Sequence, residues 1–184
     1  MAAVLEEISP DLASWIRAQP VFFVATAPSG SDGHVNLSPK GLAGLAVLGP
    51  QRCAYLDLTG SGVETIAHLR ENGRITICFA AFEGPPKIVR LYGRGSVLLP
   101  EHPHFAALAG RFAPHPGVRS VIRVAVDRVA DSCGYAVPEY AFVRERRQLA
   151  RWAERKGPEG VRTYRAEKNR ASIDGLPALD PPTR

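Results

Sequence analysis

Residues Tyr55–Phe79 read YLDLTGSGVETIAHLRENGRITICF, and the pattern changes twice along this stretch. Cys53–Leu58 is a short apolar run of strand length. Thr59-Gly60-Ser61-Gly62 interrupts it, and from Val63 to Asn72 the apolar residues Ile66 and Leu69 recur at helical spacing. Asn72-Gly73 is a natural helix stop, and Arg74–Ala81 returns to strand character. The unit is therefore strand, glycine loop, helix, strand. Ser61-x-x-Glu64 has the spacing of a capping box, in which each side chain satisfies a free backbone N–H. Two glycines let the backbone approach a ligand, and N–H groups at a helix start attract phosphate. A plain helix cap with a flexible entry fits the same residues.

Working outward, Ser9-Pro10-Asp11 followed by Leu12, Trp15 and Ile16 predicts a short capped helix ended by Pro20. Strands are expected at Val21–Ala25, His34–Ser38, Cys53–Leu58, Arg74–Ala81, Lys87–Leu99 and Val118–Val129. The cluster Pro28–Gly33 links the first two as a hairpin. In the fifth strand Ile88, Arg90, Tyr92 and Arg94 share one face and Val89, Leu91 and Gly93 the other. Gly93 and Gly95 in mid-strand predict bulges or a close approach of another backbone. His104–Phe112 predicts a short helix, and Leu149, Trp152 and Ala153 begin a C-terminal helical segment that Gly157-Pro158 breaks before a second helix from Glu159 to about Ser172. This order predicts a mainly β (α+β) chain: a six-stranded antiparallel split barrel over 1–140, with peripheral helices and a helical extension over 141–184 packed on it.

At 184 residues the chain suits one substantial core. Its longest apolar stretch, Leu42–Leu48, is too short to span a bilayer. Glu6, Glu7 and Asp11 break the basic-then-apolar layout of a secretory signal, so a cytoplasmic protein is expected. Cys53, Cys78 and Cys133 are widely spaced beside apolar runs and are expected to be buried, reduced thiols. The formal charge of +5 is local. Arg144–Arg170 holds ten basic and four acidic residues, leaving 13 basic against 14 acidic elsewhere. No nucleic-acid motif accompanies that charge, and no nucleic-acid partner is expected.

Three clusters carry chemistry. The Thr59–Glu64 loop is the first. In HVNLSPKG (34–41), Ser38 and Lys40 flank Pro39 at a strand end, where a hydroxyl and an ammonium can meet a phosphate. The third is the face bearing Arg90, Tyr92 and Arg94, which suits an anion if it lines a site and is an ordinary wet face if it does not. His102, His104 and His115 lack the i, i+4 spacing of a helical metal pair, so no metal is expected, and no nucleophile–base order points to hydrolysis.

YLDLTGSGVETIAHLRENGRITICF, HVNLSPKG, PPKIVRLYGRGSVL (85–98) and DSCGYAVPEY (131–140) together resemble the pyridoxamine 5′-phosphate oxidase-like superfamily, in its order. The resemblance implies a dimeric split barrel that holds FMN at the subunit interface. The cofactor-binding positions it implies are Ser38, Lys40, Thr59, Gly60, Ser61, Gly62, Val63 and Glu64, with Arg90 or the basic tail supplying a further cation. Many relatives carry an Arg-Lys or Arg-Arg pair where this chain has Gly62-Val63, and the C-terminal Arg/His signature of the vitamin B6 oxidase itself has no match. The implied function is an FMN-dependent oxidoreductase acting on a small organic molecule. The deazaflavin coenzyme F420 in the same fold and a non-catalytic binding module are the alternatives. In each, the protein binds and tunes while the cofactor carries the electrons.

Overall fold

The computed structural model describes residues 3–42 and 44–180. Residues 1–2, Ala43 and 181–184, the last of these at the end of the expected extension, lie outside the described residues. The strands are β1 (Ala3–Leu5), β2 (Phe22–Thr26), β3 (Asn36–Lys40), β4 (Leu45–Gly49), β5 (Arg52–Leu58), β6 (Arg74–Ala80), β7 (Ile88–Leu98) and β8 (Val118–Ser132). They form one antiparallel sheet in the order β3-β2-β6-β7-β8-β5-β4, with β1 added to β8.

The sheet has eight strands where six were expected, and its pairing path is open rather than closed. The two additional strands gave little signal. β1 is three residues long, and β4 (LAVLG) is uniformly apolar, without the alternation that marks a half-buried strand. β3 and β4 end the path and do not pair with each other.

The open path nevertheless encloses one core. Phe22 of β2 and Tyr55 of β5 stack edge to face with ring centroids 5.5 Å apart. Along the path β6, β7 and β8 lie between these strands, so a flat sheet would hold them roughly 19 Å apart at ~4.8 Å per strand step. The sheet therefore curls on itself. Phe22, Val24, Ile77, Phe79, Val89, Leu91, Ile122 and Val124, all fully or almost fully buried, fill the interior. Helix α1 (Pro10–Arg17) plugs one end with Leu12 and Ile16, its first turn capped by Ser9 Oγ, which accepts from Leu12 N at 3.2 Å.

Gly93 sits at a register shift between β7 and β8. A Cβ there would lie 2.0 Å from the Ala125 carbonyl oxygen, so the bulge expected from the glycine is a close backbone approach. Helix α2 (Glu64–Glu71) follows the glycine loop, α3 (Phe105–Ala109) is short, and α4 (Gln148–Lys168) is kinked at Gly157, where φ is 66° ahead of Pro158. None of the described helices is long and apolar enough to cross a membrane.

The thiols differ from the expectation. Cys53 is buried, Cys78 is half-buried, and Cys133 is exposed because the chain leaves the sheet beyond Ser132. Burial pushes the Cys53 thiol up to about 12, which removes the reactive thiolate at neutral pH. Native protein treated with a disulfide reagent at pH 8 is expected to label Cys133 first and to spare Cys53 until denaturant is added. Early labelling of Cys53, located by peptide mass, would contradict this packing.

Candidate functional site

The glycine loop joins β5 to α2, and its geometry starts from a carboxylate inside the sheet. Asp57 is the one charged residue in an otherwise buried stretch of β5 and is fully buried. A buried carboxylate needs a cation and hydrogen bonds. Arg119 of β8 meets it in a two-pronged pair, Nε to Oδ2 at 2.7 Å and Nη2 to Oδ1 at 3.1 Å, and Ser120 Oγ donates to Oδ2 at 3.0 Å.

Arg119 extends this pair into the loop. Its Nη1 donates to the Gly62 carbonyl at 3.0 Å and to Asn169 Oδ1 at 2.8 Å. Asn169, just beyond α4, turns its amide NH2 onto the carbonyls of Gly60 (2.9 Å) and Ser61 (3.4 Å). Arg165 of α4 donates through Nε to Thr59 Oγ1 at 2.9 Å and through Nη2 to the Val118 carbonyl at 2.6 Å, while Thr59 Oγ1 donates to the Gly117 carbonyl at 2.9 Å.

Three successive carbonyls, Gly60 to Gly62, are thus drawn to one side. In a planar trans peptide the N–H points opposite to its C=O. The N–H groups of Ser61, Gly62 and Val63 therefore face away from Arg119 and Asn169, at the start of α2, with Gly60, Ser61 and Gly62 exposed. Rows of N–H groups at a helix start are the donor sets that anions take.

The expected capping box does not form. The helix is capped by Val63 with no side-chain hydrogen bond. Helix α2 begins at Glu64, so Ser61 stands two residues ahead of the cap and Glu64 occupies the first helical position, out of register for a box; Glu64 Oε1 accepts from Ile173 N at 3.4 Å.

Lys40, at the end of β3, comes to the same place. Its side chain retains 22% exposure and its Nζ stands 3.9 Å from Asp57 Oδ1, beyond hydrogen-bonding distance. Among the described residues its ammonium makes no hydrogen bond. Burial lowers its pKa below that of an ordinary lysine, an effect that Asp57 and Glu64 offset in part and the Arg119 charge reinforces. Arg165 is likewise held low, by burial first and then by Arg119. Three cations, Lys40, Arg119 and Arg165, thus share this region with two carboxylates, Asp57 and Glu64.

Ser38 spends its hydroxyl proton within the protein. Its Oγ donates to Asn36 Oδ1 at 2.9 Å, and the Asn36 amide bridges the hydroxyls of Thr26 and Thr65 at 3.1 Å each. Thr26 in turn touches buried His68 Nδ1 at 3.0 Å, so Ser38 belongs to a polar seam fastening β3 to α2. Arg90 is not part of the cluster. It pairs through Cys78 and Phe23 with Pro39 across the sheet, the row opposite to that of Lys40, and its Nη1 donates to Ser132 Oγ at 3.2 Å. The structure therefore gathers Lys40, Thr59 and the loop through Glu64, and leaves Arg90 on the other face.

Asp57, Arg119 and Asn169 were not singled out from the sequence. A lone aspartate inside CAYLDL was the available signal, since a carboxylate in a buried strand demands a cation. Arg119 was hidden because β8 alternates from Ile122 onward, whereas Arg119, Ser120, Val121 and Ile122 are all buried. Arg165 lies in the basic tail that the sequence offered as a source of a compensating arginine. No group of three or more ligating side chains among the described residues could hold a metal.

A family model described as pyridoxamine 5′-phosphate oxidase matches residues 8–133, which include both Lys40 and the whole loop. A curated relative, the pyridoxamine 5′-phosphate oxidase family protein ustO of Aspergillus flavus, is 39% identical over 196 residues, covering 97% of this chain and 78% of the relative. Among solved structures, a tagged HupZ protein of Group A Streptococcus has a TM-score of 0.54 at 23% identity over 68% of this chain and 99% of its own. A conserved protein of unknown function from Corynebacterium diphtheriae has a TM-score of 0.51 at 14% identity over 72% and 98%. The structures share the fold. The family model and the fungal relative go further, and on their evidence this chain belongs to the pyridoxamine 5′-phosphate oxidase family.

Proposed function

We propose that the chain is a flavin-dependent oxidoreductase that holds FMN by its phosphate at Lys40 and the Ser61–Val63 N–H groups, acts on a small organic substrate, and works as a cytoplasmic homodimer. The observation that carries this reading is the Lys40 ammonium, largely buried, unspent in hydrogen bonding and in a region with one more cation than carboxylates. A phosphate meets that need, and the Gly60–Gly62 backbone presents N–H donors of the kind a phosphate takes. The flavin ring, when bound, supplies the electron chemistry. Arg119 and Asn169 hold the loop in its donor-out shape, and Arg165 fixes Thr59 beside it. Exposed Val35 (73%) and Leu37 (65%) on the outer side of the β3 hairpin offer an apolar face to a second copy.

The test is an absorbance spectrum and a mass spectrum of denatured extract, taken with added FMN or F420. FMN at about one per chain supports the reading. F420 in its place assigns the alternative cofactor, and binding of neither ends the oxidoreductase reading. Lys40→Met is expected to weaken FMN about 10- to 100-fold, the range for losing a charge-assisted bond to phosphate. The pH dependence follows from the lysine. Phosphate favours the ammonium, so above the lowered pKa binding must take up a proton. FMN affinity therefore falls as pH rises through that pKa, at a pH below 10.5, and Lys40→Met flattens the fall.

A further inference from the structure

A large groove shares Lys40 with the proposed phosphate site and extends away from it. Its walls are the end of α1 and the Phe82–Lys87 loop, its floor is Pro39–Leu42, and the irregular segment Tyr140–Arg146 together with the start of α4 covers it. The cavity measures about 1400 Å³, above the ~300–1,000 Å³ of ordinary small-molecule pockets. Trp15, Phe82, Tyr140 and Phe142 face it, with Pro20, Pro39, Pro85 and Pro86 between them. Prolines bring no N–H, so these walls offer apolar contact and few backbone donors.

The guanidiniums of the lining are Arg144 and Arg146, both exposed; of its two lysines, Lys40 stands at Asp57 and Lys87 Nζ lies 4.0 Å from Asp131 Oδ2. Lys87 Nζ lies 5.4 Å from the Trp15 ring centre, which places a cation and an aromatic face together. The covering segment is held to the opposite wall by Tyr140 N to the Phe82 carbonyl at 2.9 Å and Phe142 N to Glu83 Oε1 at 3.2 Å. Tyr140 and Phe142 are still 63% and 51% exposed, so their rings are available to an occupant.

We infer that this groove binds an organic anion with an extended aromatic or conjugated body, its apolar part between Trp15 and Phe142 and its acidic group against Arg144 and Arg146. As the substrate class of the proposed flavin site, it rests on that reading. The binding itself does not require flavin.

The probes are 8-anilinonaphthalene-1-sulfonate and its uncharged analogue N-phenyl-1-naphthylamine, titrated into full-length Trp152→Phe protein so that Trp15 alone reports. The sulfonate is expected to bind at one per chain, to quench Trp15, and to bind more tightly than the uncharged probe. Arg144→Gln with Arg146→Gln, both exposed and away from the core, is expected to weaken the sulfonate about fivefold, more at low salt, and to leave the uncharged probe unchanged. Equal binding of both probes, unaltered Trp15 emission, or one-for-one displacement by FMN overturns the inference. Sulfonate binding without FMN binding overturns the flavin reading alone, and FMN binding without sulfonate binding overturns this one alone.

Discussion

Replacing Arg119 by methionine is expected to lower the folding free energy by about 3–5 kcal/mol, the cost of leaving one member of a buried ion pair uncompensated. Asp57 is fully buried and Arg119 is 4% exposed, so water cannot take over the lost partner. Methionine retains most of the apolar stem, so the loss is electrostatic and not a cavity. Ser120 still donates to Asp57, but Lys40 stands at 3.9 Å and cannot reproduce two short guanidinium contacts. The same change strips a donor from the Gly62 carbonyl and from Asn169. Urea denaturation reads the effect as a lower midpoint at an unchanged slope, with a fall in Tm of roughly 10 °C for a domain of this size. The double change Asp57→Leu with Arg119→Met is expected to recover part of the loss, since no orphan carboxylate remains, while Lys40 loses the carboxylate that stood 3.9 Å away. A single variant as stable as the parent would show that the pair is solvated in solution.

Gly93→Ala is expected to cost about 3 kcal/mol, because the added methyl meets backbone and not a movable side chain. The new Cβ would lie 2.0 Å from the Ala125 oxygen and 2.9 Å from its carbon. Relief requires β7 and β8 to part, and these two strands share the longest ladder of the sheet, from Ile88 opposite Ser132 to Leu98 opposite Val121. Gly30→Ala is the control: nothing lies within 4 Å of its Cβ, and a change within about 0.5 kcal/mol is expected. Equal effects at the two glycines would remove the bulge from the account of stability.

What was legible in the sequence follows the physical range of each signal. Period-two alternation in IVRLYGRG and IRVAVD reports a sheet with one buried face, and β7 and β8 form where that pattern stands. The mid-strand Gly93 announced a close approach because no other residue type tolerates one. β4 was unreadable because a uniformly apolar pentapeptide has no period. The capping box failed for a different reason: Ser61 and Glu64 have the right spacing, but α2 begins at Glu64 with Val63 as its cap, two residues later than the box requires. Arg90 shows a limit of range: the sequence left open whether its face lines a site or is wet, and its separation from Lys40 depends on strand register across β7, β6, β2 and β3.

The hold of Asn169 on the Gly60 carbonyl joins residues 109 positions apart. A ribosome adding ~5–20 residues per second reaches Asn169 roughly 5–20 s after it has placed Gly60. During that interval β5 and α2 can be made, but the loop between them lacks the donors that turn its carbonyls inward. The loop is therefore among the last features of the protein to mature, and a nascent chain stalled before Asn169 carries the strands of the sheet without the donors that shape this loop.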